Sequence, residues 1–248
     1  MTNLKLNVLS LRYSSWSMRA WLALTHAGAA FDIETVELRH MLRQGDKDGE
    51  SRVLAKINPR TLPERRTLGS VHGLFPVLRV DGQPIHESLA ICEYAAEAFP
   101  DAQLWPTDMM LRAQARSLCC EMVSGFASMR DELSSHMFGR VAGFSPNEGT
   151  LADIARVFEI WENCLASSGG PFLFGAFTIA DAVYYPVLTR FRTYKIDIPG
   201  SLTDYAKAMD TTPCVEKLVN LARSEPRIPI YDNYLLNLGG DPDGGLSE

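Results

Sequence analysis

SVHGLFPVLRVDGQPIHES, residues 70–88, carries three structural signals in a row. Asp81-Gly82 sits between two short runs, Val77 to Val80 and Gln83 to His86, and an Asp-Gly pair in that position suits the two-residue type I′ turn of a β-hairpin. Pro76 stands immediately before a strand that must pair, which implies a turn compatible with a cis peptide and aims the main chain of Phe75 outward, where an extended peptide can pair with it. Glu87-Ser88 then opens a helix. The unpaired N–H groups and hydroxyl of such a start hold a carboxylate, although plain helix capping explains the same residues.

Upstream, Leu4, Leu6 and Val8 alternate with Lys5 and Asn7, the period of a half-buried strand over Leu4 to Leu9. Ser14 or Ser15 caps the helix that follows, Met18, Trp21 and Leu22 keep helical spacing, and Gly28 stops it. Phe31 to Leu38 is a second strand. Between Leu38 and Ser70 the pattern dissolves into polar residues with Gly45, Gly49, Pro59 and Pro63, a loop with room for one short helix. After the hairpin, Leu89, Cys92, Ala96 and Phe99 are helically spaced and Pro100 ends the run. Strand, helix, strand and antiparallel hairpin make a small mixed sheet covered by helices, residues 1–100.

Beyond a linker at 101–108 the strand signals disappear. Leu111, Ala115, Leu118, Met122, Phe126, Met129 and Leu133 form one long helical stripe, and Ile154, Val157, Phe158, Trp161 and Leu165 a second, with Thr150 and Asp153 at its start. Thr178 with Asp181 opens a third helix, through Tyr184, Val187, Leu188 and Phe191, in which Pro186 removes one backbone hydrogen bond and predicts a bend. Ser201 with Asp204, and Thr212 before Pro213, open two shorter ones. Residues 109–235 therefore read as an all-α bundle, and the Gly-rich tail at 236–248 as disordered.

At 248 residues, 46% apolar and 22% charged, the chain has ordinary globular composition. A formal charge of −6 argues against a nucleic-acid partner, and the basic stretch Arg60 to Arg66 is interrupted by Glu64. No apolar run approaches the roughly 20 residues of a bilayer span, and the N-terminus lacks a signal-peptide core, so a cytoplasmic protein without membrane association is expected. Cys92, Cys119, Cys120, Cys164 and Cys214 show no CxxC spacing, and His26, His40, His72, His86 and His136 no paired spacing; no metal is expected.

RYSSWSMR, residues 12–19, lies where a strand ends and a helix begins. A helix N-terminus stabilises an anion, and a hydroxyl there donates a hydrogen bond to it. Since a thiol has a pKa near ~8.5, and each unit of depression is worth ~1.4 kcal/mol, Ser14, Ser15 or Ser17 is suited to turning a bound thiol into a nucleophile. The alternative is that these serines only cap the helix.

Taken together, the motifs resemble the cytosolic glutathione transferases. Ser14-Ser15-Trp16-Ser17 followed by Arg19 is similar to the serine-type start of the zeta class. Ser70 to Leu78 is similar to the family's segment around a cis proline, here Pro76; Glu87-Ser88 to its glutamate-serine pair; Thr178 to Asp181 to its helix cap. The resemblance implies a thioredoxin-like α/β N-terminal domain followed by an all-α helical-bundle domain. It implies glutathione as co-substrate, with Ser14 facing the sulfur beside Ser15, Phe75 pairing through its main chain ahead of Pro76, and Glu87 and Ser88 holding the γ-glutamyl end. It further implies a homodimer and a small electrophilic second substrate, with Arg12, Trp16, Met110, Arg116 and Met122 around the second pocket. Trp16 stands where zeta members tend to carry cysteine. The segment 39–69 is longer than the family's usual second-helix region, and His40 is the candidate for the glycine end of glutathione. Thiol transfer is the leading expectation; glutathione-dependent isomerisation of the maleylacetoacetate type and a non-catalytic binding module are the alternatives. Disulfide exchange is disfavoured, because no cysteine lies at Ser14 to Ser17.

Overall fold

The computed structural model describes residues 2–36, 43–44, 56–57, 62–71 and 73–246; His40, Arg60 and His72 lie outside the described residues. In chain order, β1 (Leu4–Val8), α1 (Ser15–His26) and β2 (Asp32–Thr35) are followed by β3 (Arg43–Gln44), β4 (Lys56–Ile57) and α2 (Leu62–Thr67). Then come β5 (Val77–Val80), β6 (Gln83–His86) and α3 (Ser88–Ala98). The sheet order is β2-β1-β5-β6, with β1 parallel to β2 and antiparallel to β5. β5 and β6 form the expected hairpin, in which Asp81 (φ 48°) and Gly82 (φ 86°) both take the positive φ that a type I′ turn demands. β3 and β4 form a separate two-stranded antiparallel ladder in the segment read from sequence as loop.

The second half is helical: α4 (Met109–Ser124), α5 (Ala127–Glu132), α6 (Glu148–Ser168), α7 (Ile179–Thr193), α8 (Thr203–Asp210), α9 (Pro213–Ser224) and α10 (Pro229–Asn237). No helix among the described residues is long and apolar enough to cross a membrane. α1 packs against α3 of its own half and against α7 and α9 of the other. The main core cluster runs from Leu6 and Leu22 to Trp161, Tyr184 and Phe191, and a smaller one joins Leu9, Tyr13, Phe75 and Val77 to Ile228.

Four local expectations change. The stripe Leu111 to Leu133 is not one helix: Gly125 ends α4 and Phe126 turns left-handed (φ 57°) before α5. Gly125 is required there, since an added Cβ would lie 2.8 Å from the Glu121 carbonyl oxygen. The cap of α6 is Asn147, whose Oδ1 accepts from Thr150 N–H at 2.9 Å; Asp153 reaches across instead to accept from Met129 N–H in the first turn of α5. Ser201 does not cap α8 but donates to Glu162 at 2.7 Å.

The tail is the fourth. Residues 239–246, expected to be disordered on composition, fold back along residues 138–140 through an Arg140–Asp241 bridge and a Gly245 N–H bond to the Phe138 carbonyl. Its glycines permit this approach, because a Cβ on Gly240 would lie 2.8 Å from the Arg140 carbonyl oxygen. The capping box at Thr178 and Asp181 is formed as read, with Asp181 accepting from the main chain of Thr178 and Leu173.

Candidate active site

β1 ends beneath a cleft of about 360 Å³, and the turn after it delivers Ser14 to the wall. Ser14 is the N-cap of α1, with extended geometry (φ −97°, ψ 101°). Its Oγ accepts from the Ser17 N–H at 3.2 Å and shares a 3.0 Å hydrogen bond with the Ser17 hydroxyl. Standing on the cleft wall, the Ser14 hydroxyl can also turn to donate into the cleft. Ser17 is fully buried and its Oγ also accepts from Leu9 N–H, so it braces Ser14 from behind. Ser15 lines the cleft and accepts from Arg190 at 3.3 Å. Of the three serines, Ser14 and Ser15 line the cleft and Ser17 lies behind them.

Phe75 precedes a cis bond to Pro76, and its main chain lies outside the ladder, which begins at Val77. The loop before it is held by the Ser70 hydroxyl on the Leu74 carbonyl at 2.6 Å and by Arg65 on the Gly73 carbonyl. Glu87, which joins β6 to α3, has φ 73°, an uncommon conformation for a residue with a side chain. Among the described residues no side chain caps α3, no acid lies in its first turn, and the buried Ser88 hydroxyl finds no partner. A helix start with free N–H groups and an unused hydroxyl fits a carboxylate ligand.

The opposite wall comes from the helical half. Arg130 at the end of α5, Ser134 and Ser135 just after it, Arg190 on α7 and Tyr231 on α10 all face the cleft. The Ser135 hydroxyl is buried and unpartnered. Trp16 joins them, with the Arg19 guanidinium 4.5 Å and the Arg130 guanidinium 5.6 Å from its ring centre. Burial, with the nearby charge of Arg130, pulls Arg19 down to about 10, and burial also lowers Arg130; both remain cations at neutral pH.

Tyr13 also reaches the cleft but is committed elsewhere. Its hydroxyl donates to Asp232 at 2.8 Å, and burial together with that bond pushes the phenol far above its ordinary range. The same Asp232 oxygen lies 3.0 Å from Nε2 of His136, whose Nδ1 accepts from the Gly139 N–H. Nε2 therefore carries the proton, and burial holds this neutral imidazole down to about 4. Neither group is placed to take a proton from a thiol.

The structure brings Ser14, Ser15, Trp16, Phe75 and Glu87 to one cleft, with Pro76 and Ser88 buried directly behind. It does not bring the remaining second-pocket candidates there. Arg12 is buried against Asp243 and Phe138, Met122 is core, Met110 is exposed on α4, and Arg116 pairs with Glu93 over Trp105. Arg130, Ser134, Ser135, Arg190 and Tyr231 were missed. For Tyr231 a signal existed: Pro229 sits at the first turn of α10, a helix start that the sequence reading passed over. None of the five cysteines lines the cleft, and no three metal-binding side chains cluster among the described residues.

Two family models match the chain in order, "Glutathione S-transferase, N-terminal domain" over residues 13–98 and "Glutathione S-transferase, C-terminal domain" over 145–210. A Caenorhabditis elegans protein named "Probable maleylacetoacetate isomerase" is 29% identical over 202 residues, spanning 80% of this chain and 84% of that one. The maleylacetoacetate isomerase of Dictyostelium discoideum is 26% identical over 221 residues, 80% of this chain and 92% of that one. Among solved structures, a glutathione transferase homologue from Burkholderia with bound glutathione superposes with a TM-score of 0.64 at 22% identity, covering 90% of this chain and all of the other. With matches to both halves and the cis-proline, serine and capping motifs in their places, the chain belongs to the glutathione S-transferase family.

Proposed function

We propose that this protein is a glutathione transferase in which Ser14 activates the thiol of glutathione for attack on a small electrophile. The observation that carries the reading is the place of the Ser14 hydroxyl: it stands on the cleft wall at the N-terminus of α1, backed by the N–H and hydroxyl of Ser17. In this reading the Phe75 main chain pairs with the cysteinyl unit, and the uncapped start of α3, with Glu87 and Ser88, holds the γ-glutamyl end. The sulfur then lies at Ser14. The thiol proton is lost to solvent, the Ser14 hydroxyl donates to the thiolate, and the α1 dipole adds to its stabilisation. Attack forms a carbon–sulfur bond, and the leaving group departs with its electron pair; where the electrophile is an activated alkene, the carbanion is protonated instead.

The expected outcome is conjugation of a general aryl halide, with kcat/KM in Ser14→Ala reduced about 10- to 100-fold, the worth of one hydrogen bond to a charged group. Undiminished activity in that variant rejects the assignment.

A second reading, glutathione-dependent isomerisation, is supported by the names of the relatives and by a second-substrate wall that presents Arg130, Arg190, Ser134 and Ser135. There the thiolate adds to a carbon–carbon double bond, rotation follows, and the thiolate leaves again. A product that retains no glutathione distinguishes it. We also read the protein as a cytoplasmic homodimer, for which sedimentation equilibrium tests the stoichiometry.

A further inference from the structure

The turn that presents Ser14 is held by a carboxylate from the far end of the chain. The Leu11 N–H faces both oxygens of Glu225 at 2.9 Å, and the Arg12 N–H faces one of them at 3.1 Å. The Ser10 hydroxyl donates to the same oxygen, while Ser10 Oγ accepts from the Arg12 N–H at 2.9 Å and the Tyr13 N–H at 3.2 Å. Consecutive N–H groups converging in this way form a nest, a main-chain cradle for an anion. Here the anion is Glu225. The turn then closes on α1, since the Ser14 N–H donates to the Ser10 carbonyl at 3.2 Å.

Glu225 is the residue that ends α9. A negative charge at a helix C-terminus is opposed by the helix dipole, so the helix itself gives no reason for an acid there. Glu225 does not line the cleft, and a salt bridge is not what holds it; its partners are the N–H groups and hydroxyl of residues 10–12.

We propose that Glu225 is a positioning residue for thiol activation: seated against the Ser10 hydroxyl and the N–H groups of Leu11 and Arg12, it fixes the direction in which the Ser14 hydroxyl donates. The proposal rests on the transferase reading above. It separates cleanly from a general charge effect, because the two have opposite signs. Loss of a fixed donor raises the pKa of the bound thiol, whereas loss of a nearby negative charge lowers it.

The test is an ultraviolet titration of enzyme-bound glutathione thiolate, with KM for glutathione and thermal unfolding measured alongside. In Glu225→Ala the thiol pKa is expected to rise by about one unit and kcat/KM below that pKa to fall about tenfold. KM for glutathione stays within about twofold, since Phe75, Glu87 and Ser88 are untouched. Glu225→Gln, which keeps one acceptor oxygen, shows a smaller rise and decides by the same sign if the alanine variant does not fold. In a Ser14→Ala background, Glu225→Ala produces no further rise. An unchanged or lowered thiol pKa in a folded variant overturns the proposal, as does an equal rise in the Ser14→Ala background. Wild-type protein that does not depress the thiol at all rejects the transferase reading, and this inference with it.

Discussion

At the scale of single residues, the site depends on which hydrogen bonds are already spent. Ser14 shares its hydrogen bonds only with its neighbour Ser17 at the cleft wall, while Tyr13 has its proton fixed on Asp232. Ser17→Ala removes the brace without removing the donor, so a loss of about fivefold in kcat/KM is expected, well short of the Ser14→Ala loss. Steady-state kinetics on the two variants makes the comparison. His136 carries a pH-dependent share of stability. Its folded value of about 4 lies below the ordinary 6.5, so between those values the unfolded chain takes a proton that the folded protein refuses. That contribution is fully present above pH 6.5 and is lost as pH falls through 4, to a limit of about 3 kcal/mol. Denaturant midpoints at neutral and mildly acid pH, with an NMR titration of the imidazole, check this; a ring that titrates near 6.5 contradicts it.

At the scale of elements, helix ends decide where the cleft residues stand. α5 is short and begins at a left-handed Phe126 that supplies no capping side chain, so Asp153 of α6 accepts from Met129 instead. Asp153→Ala is therefore expected to cost about 1 kcal/mol and to loosen the end of α5, where Arg130 and Ser134 enter the cleft. Its signature is a raised KM for the electrophile with KM for glutathione unchanged. Asp181 is a deeper case. It is fully buried, burial raises its carboxyl to about 6, and it accepts from the main chains of Thr178 and Leu173. Asp181→Ala strands both N–H groups and is expected to destabilise the fold by about 3 kcal/mol, measured by chemical denaturation.

For the molecule as a whole, the cleft exists only where the two halves meet. Three acids from the last part of the chain hold the turn before Ser14: Glu225 at Leu11 and Arg12, Asp232 at Tyr13, and Asp243 at Arg12. Arg12 is nearly fully buried, whereas Asp243 is 41% exposed, which screens part of their attraction. Asp243→Ala is expected to cost about 1–2 kcal/mol, chiefly by leaving a buried guanidinium short of its counter-charge. Differential scanning calorimetry reads the effect.

Local features were legible in the chain by itself. The hairpin at Asp81-Gly82, the helix start at Ser14, the turn at Pro76 and the capping box at Thr178 each depend on residues within a few positions of one another. Backbone conformation and nearest-neighbour hydrogen bonds are enough to specify them. The same locality explains why residues of one wall of the cleft were readable, since Ser14, Phe75 and Glu87 all lie at such punctuation. The opposite wall was not. Arg130, Ser135, Arg190 and Tyr231 come from separate helices, and an arginine bound for a cleft is written no differently from one bound for solvent. The apolar stripe around Gly125 hid a break, where Gly125 leaves helical geometry and Phe126 turns left-handed. The tail looked disordered because its glycines were read as entropy, when they serve close approach to Arg140. Which of the three serines reach the cleft was likewise decided only by tertiary structure: Ser17 faces the core and Ser14 and Ser15 the cleft, a difference set by how α1 packs against both halves.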